Sequence, residues 1–244
     1  MRQLLRNLPP ALLVLLLVPP VVGAQNDKPK PFELSADLGY VNAQGNSDIT
    51  TLNVGEKLVL RVHRWEHKQQ FGSVYGSQDG KQSTSLIFAN WRSDWSFSKK
   101  LALFGYAGYD RNQPAGIASR FEESLGLSAK LDQSDVDQWS IELGLGLNQQ
   151  QAVDGSSRSF SSIRSATQYK HFFTKAAYIQ QEVEYLPSLE VSEDYRIHSE
   201  TALVAPVSSH ISMKLGYVVR FDNLPGPTKR KSDRILTSGL QFNW

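Results

Sequence analysis

The sequence predicts a single closed antiparallel β-barrel of about twelve strands that crosses a membrane. Three observations carry this expectation: a two-residue alternation of apolar and polar side chains, connections of alternating length, and aromatic residues at two levels. The alternation is clearest in ISMKLGYVVRFD (211–222). There Ile211, Met213, Leu215, Tyr217, Val219 and Phe221 take one face against Ser212, Lys214, Gly216, Arg220 and Asp222. WSIELGLGLN (139–148) repeats the pattern. Period two is the mark of a strand with one apolar and one polar face. It persists here for ten or more residues, the length that spans a bilayer at a tilt and longer than the usual strand of a soluble sandwich.

Taken in order, the strands are expected near 32–43, 49–63, 67–77, 82–97, 101–111, 117–131, 138–149, 158–172, 176–187, 194–207, 210–222 and 232–244. After even strands the connections read as tight: RWEH (64–67), SKK, DQSDVD, TK and SS. After odd strands most read as longer and rich in Gly, Pro and Asp: GSQDGKQ, RNQPAGI, QAVDGSS, PSLEVSED and NLPGPTKRKSD, with QGNSD the compact exception. Short turns on one side and longer loops on the other are the habit of outer-membrane barrels, whose tight turns are periplasmic. With the first strand starting in the periplasm, Phe32, Trp65, Trp95, Trp139 and Trp244 fall at one level, together with Phe97 and Phe172. Tyr40, Tyr75, Tyr109, Tyr185, Tyr195 and Phe221 fall at the other, which makes two interfacial girdles. A mean hydropathy of −0.36 agrees with such a barrel, because only alternate residues meet lipid.

The first 24 residues read as a secretory signal peptide: Arg2 and Arg6, a short apolar run from Ala11 to Val18, and the small-residue site Val22-Gly23-Ala24. Residues 25–31 form a short polar leader, and 32–244 form the barrel. Of the 26 Lys and Arg residues, Arg2 and Arg6 lie in the signal, so the remainder balances the 24 Asp and Glu residues. No basic field points to nucleic acid. The chain has no cysteine, which excludes disulfides, thiol nucleophiles, thiolate metal sites and lipid acylation of a cysteine.

The polar face of the strands lines the interior. Its principal charged candidates are Arg164, Lys170, Glu182, Glu184, Arg196, His198, Glu200, Lys214 and Arg220. Glu33, Asp37, Lys57, Arg61, Arg92, Asp94, Asp110, Arg120, Glu122, Lys130, Glu142, Asp222 and Arg234 are also expected to face inward. Arg164 and Lys170 should lie beside a strand carrying Glu182 and Glu184, and that strand beside one carrying Arg196; opposite charges on neighbouring strands stabilise the pairing. Twelve strands enclose a lumen between the filled interior of eight and the open channel of sixteen. Two readings follow: a narrow pore lined by both signs, or a charge network that braces a closed barrel.

RIHSE (196–200) suggests a Ser/His/Glu hydrolase, but neighbouring residues of a strand point to opposite faces, so His198 and Ser199 cannot act as base and nucleophile. The other histidines, His63, His67, His171 and His210, are scattered near strand ends without ligand spacing. GNSD, SQDG and VDGSS are turn chemistry rather than a calcium loop. No cofactor or metal is expected. TKRK (228–231) is a small basic cluster suited to lipopolysaccharide phosphates. In the final strand, Thr237, Gly239, Phe242 and Trp244 fit the polar-x-Gly-x-x-aromatic-x-aromatic pattern that barrels present to the assembly machinery.

LGYVNAQGNSDITTLNVGEKL (38–58), with its Gly-Asn-Ser-Asp turn followed by threonines, resembles the start of the salt-induced outer-membrane proteins, domain of unknown function 481. IELGLGLNQQ (141–150), DYRIHSETALV (194–204), ISMKLGYVVRFDNLP (211–225) and SDRILTSGLQF (232–242) extend the likeness over essentially the whole mature chain. The resemblance implies an outer-membrane barrel with a stress or envelope role, and brings no catalytic residue, cofactor or substrate. The expected function is therefore a non-enzymatic Gram-negative outer-membrane protein, either a narrow porin-like channel or a structural barrel. Its partners would be membrane lipid, lipopolysaccharide and the assembly machinery. The alternatives are a lipid hydrolase, which lacks a nucleophile–base pair, and an autotransporter-like translocator.

Overall fold

A computed structural model describes residues 30–43, 49–226 and 229–243. The expected signal peptide, the GNSD turn and Trp244 lie outside the described residues. Twelve strands form one closed antiparallel barrel in which each pairs with its neighbours in sequence and the last with the first. They are β1 (Phe32–Ala43), β2 (Ile49–Val62), β3 (Trp65–Gln78), β4 (Lys81–Ser96), β5 (Leu101–Asn112), β6 (Ile117–Gln133), β7 (Asp137–Ala152), β8 (Ser157–Phe172), β9 (Tyr178–Pro187), β10 (Tyr195–Pro206), β11 (Ile211–Asp222) and β12 (Ser232–Asn243). Around most of the circumference closure pairs the backbone donors and acceptors within the sheet, which hydrocarbon demands because it offers no water in exchange.

The burial is inverted relative to a soluble protein. Leu143, Leu145 and Leu147 on β7 are 63 %, 65 % and 56 % exposed, whereas Arg120, Arg164 and Arg196 retain 5 %, 6 % and 7 %. Leu125, Leu127, Met213, Leu215 and Leu236 continue the outer apolar surface. An apolar surface of this extent needs an apolar solvent. Replacing Leu145, midway along β7, by arginine is therefore expected to destabilise the barrel by about 2–4 kcal/mol, measured by urea titration in lipid vesicles. An unchanged midpoint would show that this face does not meet hydrocarbon.

The expected difference between tight and long connections is weaker than the sequence suggests. The first two strands are joined through residues outside the description, but β3 and β4 meet in a two-residue turn at Asp79 and Gly80, both with positive φ (51° and 73°). An Asp-Gly pair in that conformation matches the twist of a hairpin, so most of GSQDGKQ is strand rather than loop. RNQPAGI and QAVDGSS shrink in the same way, and among the described residues the longer connections are 188–194 and the one that leaves β11 at Asn223. At the opposite end β3 begins at Trp65, not 67, because His63 with positive φ (56°) turns the chain earlier.

The aromatic levels contain local contacts. Trp65 stacks on His67 with ring centres 5.7 Å apart, and His67 lies 5.8 Å from Trp91. Ser93 joins them, accepting from the Trp91 indole at 2.9 Å and lying 2.8 Å from His67 Nδ1. The Trp139 indole donates to Thr167 Oγ1 at 2.9 Å, and Trp95 packs against Phe97. Trp65, Trp95, Trp139 and Phe32 are all exposed. At the other level Tyr109 meets Phe121, and Tyr195 lies between Tyr185 and Phe221. Phe172 sits at the level expected for the first girdle, but its ring meets Tyr178, which lines the lumen.

Candidate functional site: the lumen

The inner face is built by one row of residues that runs across four strands. Phe104, Gly126, Gly144 and Arg164 are successive cross-strand partners of β5, β6, β7 and β8. A Cβ on Gly126 or Gly144 would run into the facing backbone and the ring of Phe104. The two glycines thus make the floor on which that ring lies, and Phe104 is fully buried. Its other side is covered by the Arg92 guanidinium, 4.4 Å from the ring centre. Arg164 stands in the same way over Tyr106 at 4.3 Å. The small inward residues of IELGLGLN therefore make room for large side chains from neighbouring strands.

From the end where β1 begins, a chain of ion pairs climbs the wall. Arg61 binds Glu33 and Glu66, both at 2.6 Å. Glu66 holds Lys68 at 2.8 Å, and Lys68 lies 3.9 Å from Asp94. Arg92 pairs with Asp94 at 2.6 Å and with Glu142 at 2.6 Å. Glu142 lies 3.8 Å from Arg164, which also binds Glu122 at 3.0 Å and contacts Glu184. Arg196 completes the cluster, 3.7 Å from Glu122 and bonded to Asn148, which donates to Ser162 at 2.8 Å. Several ties join strands that are not neighbours: Arg92 with Glu142, Arg120 with Asp222 at 3.4 Å, Arg220 with Asp110 at 3.6 Å, and Asn112 with Asp233 at 3.2 Å.

The nine principal candidates divide between this wall and the opposite side. Arg164, Glu184 and Arg196 belong to the wall, and Arg220 to the ties above it. Lys214 pairs with Asp37 of β1 at 3.0 Å and lies 3.8 Å from Glu200. Glu182 accepts from Gln168 at 3.3 Å. Lys170 lies, as expected, beside the strand that carries Glu182 and Glu184, opposite Gln180, and its ammonium stands over the Tyr178 ring at 4.4 Å. Lys57 and Lys170 have no carboxylate within 4 Å among the described residues. His198 faces Glu184 at 3.7 Å, while Ser199, on the other face of the strand and opposite Val183, accepts from Gln181 at 2.9 Å.

Three corrections concern the inner face. Arg234 is exposed, and it is Asp233 that reaches Asn112. Glu66 and Lys68, absent from the expected set, are links of the chain. Their parity follows from Gly72 and Val74 once β3 is allowed to begin at Trp65. Phe104, Tyr106 and Phe160 were also missed. β5 carries apolar residues on both faces, so alternation gives no signal there.

A cavity of about 400 Å³ remains in the lumen. It reaches from Pro225 and Arg230 in the last loop to Lys57 and Lys68, and its lining includes Tyr178, Glu182, Glu200 and Lys214.

The description "Protein of unknown function, DUF481" belongs to a family whose model matches residues 36–244. "Uncharacterized protein YdiY" of Escherichia coli (strain K12) is 23 % identical over 215 residues, covering 88 % of this chain and 84 % of the relative. Among solved structures, the translocator domain of the autotransporter NalP from Neisseria meningitidis has a TM-score of 0.50 at 10 % identity, over 89 % of this chain and 90 % of that one. The NanC porin has a TM-score of 0.52 at 10 % identity, over 86 % and 98 %. At such identity these two likenesses concern the fold alone.

Proposed function

Because the chain belongs to the DUF481 family and folds as a transmembrane β-barrel of the porin type, we propose that it is a non-enzymatic, narrow channel of the Gram-negative outer membrane. The observation that supports this reading is a cavity inside the barrel to which all twelve strands contribute lining residues. Both signs of charge border it, Arg92, Glu142 and Arg164 of the ion-pair wall as well as Lys57, Glu182 and Lys214. At about 400 Å³ it has the size of a small-molecule pocket rather than of a wide channel, so only small solutes would pass. Purified barrel in a planar bilayer is expected to give small, discrete conductance steps. Absence of steps at every voltage and salt concentration would overturn the channel.

The ion-pair chain favours a second reading, a brace that supports the envelope under salt stress. It predicts no steps, and a growth defect at high salt in a strain lacking the protein. Export through the signal peptide and contact of Arg230 with lipopolysaccharide belong to the same proposal. Lys229 and Lys231 are already engaged, by the carbonyl of Pro114 and by Asn223, both at 3.0 Å. The assembly machinery would read Thr237, Gly239, Phe242 and Trp244. Deleting Phe242–Trp244 is expected to reduce outer-membrane levels far more than deleting Asn26–Lys30, as quantified by immunoblot of membrane fractions; equal levels would contradict this.

A further inference from the structure

The seam that closes the barrel is unlike the other eleven. Among the described residues, β1 and β12 are joined over four positions, Ser35–Leu38 against Leu240–Asn243, whereas every other neighbouring pair is joined over at least eight. The last close approach is between two glycines: a Cβ on Gly39 would strike the carbonyl of Ser238, and one on Gly239 the carbonyl of Leu38. Beyond them the ladders separate. Among the described residues, Tyr40–Ala43 pair only with β2, and Ile235–Ser238 only with β11. Two strand edges thus face each other without a shared ladder below the outer rim.

Hydrocarbon does not tolerate open edges; they persist only where water or a polar ligand reaches them. Polar groups lie directly behind this gap. A cavity of about 20 Å³ at the seam, the scale of a single water, is lined by Asp37, Asn53, Lys214, Thr237 and Leu240. Asp37 Oδ1 is buried there without a hydrogen-bond partner among the described residues. In front of the gap, Leu38, Tyr40 and Leu236 are 54 %, 61 % and 62 % exposed. Asp37, Asn53, Lys214 and Thr237 also line the 400 Å³ cavity of the lumen, so a charged cavity inside and an apolar surface outside flank the same unshared edges, a combination that suits one class of molecule: an amphiphile with a polar head and acyl chains.

We infer that the β1–β12 seam is a lateral portal, through which a membrane phospholipid places its head beside Asp37, Asn53 and Lys214 while its chains stay against Leu38, Tyr40 and Leu236. This inference does not depend on whether the lumen conducts ions from end to end.

Two measurements on the full-length barrel in phosphatidylethanolamine–phosphatidylglycerol vesicles test it. In the first, paired cysteines are oxidised across the seam. Leu38→Cys with Leu240→Cys, opposite each other in the ladder, should form a disulfide. Asn42→Cys with Leu236→Cys, opposite only if that register continued, should not. Equal rates for the two pairs would mean a closed seam and overturn the portal. In the second, a benzophenone side chain is placed at Asn53 in vesicles containing radiolabelled phospholipid. A lipid adduct is expected at Asn53 and at lipid-facing Leu145, and none at Ser128, which faces the lumen on β6. No adduct at Asn53 would overturn the proposal, and so would an adduct at Ser128, because lipid would then be entering by the mouths. Thr237, on the other side of the slit, replaces Asn53 if that variant fails to fold.

Discussion

Arg164→Leu is expected to destabilise the barrel by about 3–5 kcal/mol, the usual effect of removing one partner from a buried ion pair. Arg164 sits between Glu122, Glu142 and Glu184, with its side chain 8 % exposed. Leucine would leave three carboxylates close together with one cation fewer. The lumenal water beside them moderates the repulsion, so the lower end of the range is expected. Urea titration in vesicles, followed by tryptophan emission, measures the loss. Arg164→Lys keeps the charge but cannot reach several carboxylates with a planar fork, and should fall between the leucine variant and the parent. Adding Glu184→Gln to Arg164→Leu should recover part of the loss, because the two sites are coupled. A midpoint unchanged by Arg164→Leu would mean that the wall contributes nothing to stability.

Phe104→Ala should cost a similar amount, about 3–5 kcal/mol, for a different reason. The ring is fully buried between the glycine floor and the Arg92 guanidinium. Alanine removes its contacts with both and opens a void that the glycines cannot fill. Phe104→Leu, which keeps most of the volume, should lose much less. If the lumen conducts, the alanine variant should also show a larger single-channel step, because the void lies on the inner face. A stability loss without a larger step would mean that the void is isolated from the solute path.

The two predictions rest on residues of unequal legibility. Arg164, Glu122, Glu142 and Glu184 were readable as lumenal because they occupy the polar phase of strands with clean alternation, such as IELGLGLN. Arg196 was readable for the same reason. Phe104 was not, because alternation reports polarity, and an inward phenylalanine among outward leucines has the same polarity as its neighbours. Glu66 was missed through a boundary two residues late, and Lys68 because HKQQ (67–70) is polar at every position and gives the alternation nothing to anchor on. Lys170 shows a different limit. Its strand and face were legible, but the choice between Glu182 and the ring of Tyr178 depends on side-chain reach, which no periodicity encodes. The overall architecture was the most legible level, since twelve long amphipathic strands have few ways to satisfy their backbones in lipid.

The ties between distant strands have a mechanical consequence. A sheet rolled into a tube resists stretching along its hydrogen bonds but flexes easily across them, so a bilayer under lateral pressure tends to press its cross-section into an ellipse. Arg92–Glu142, Arg120–Asp222, Arg220–Asp110 and Asn112–Asp233 span the interior as spokes span a wheel. Flattening in any one direction must lengthen some of them. The tube is thus stiffest where the spokes are dense, and the sector around the β1–β12 seam, crossed by the Lys214–Asp37 pair, is where it would yield first.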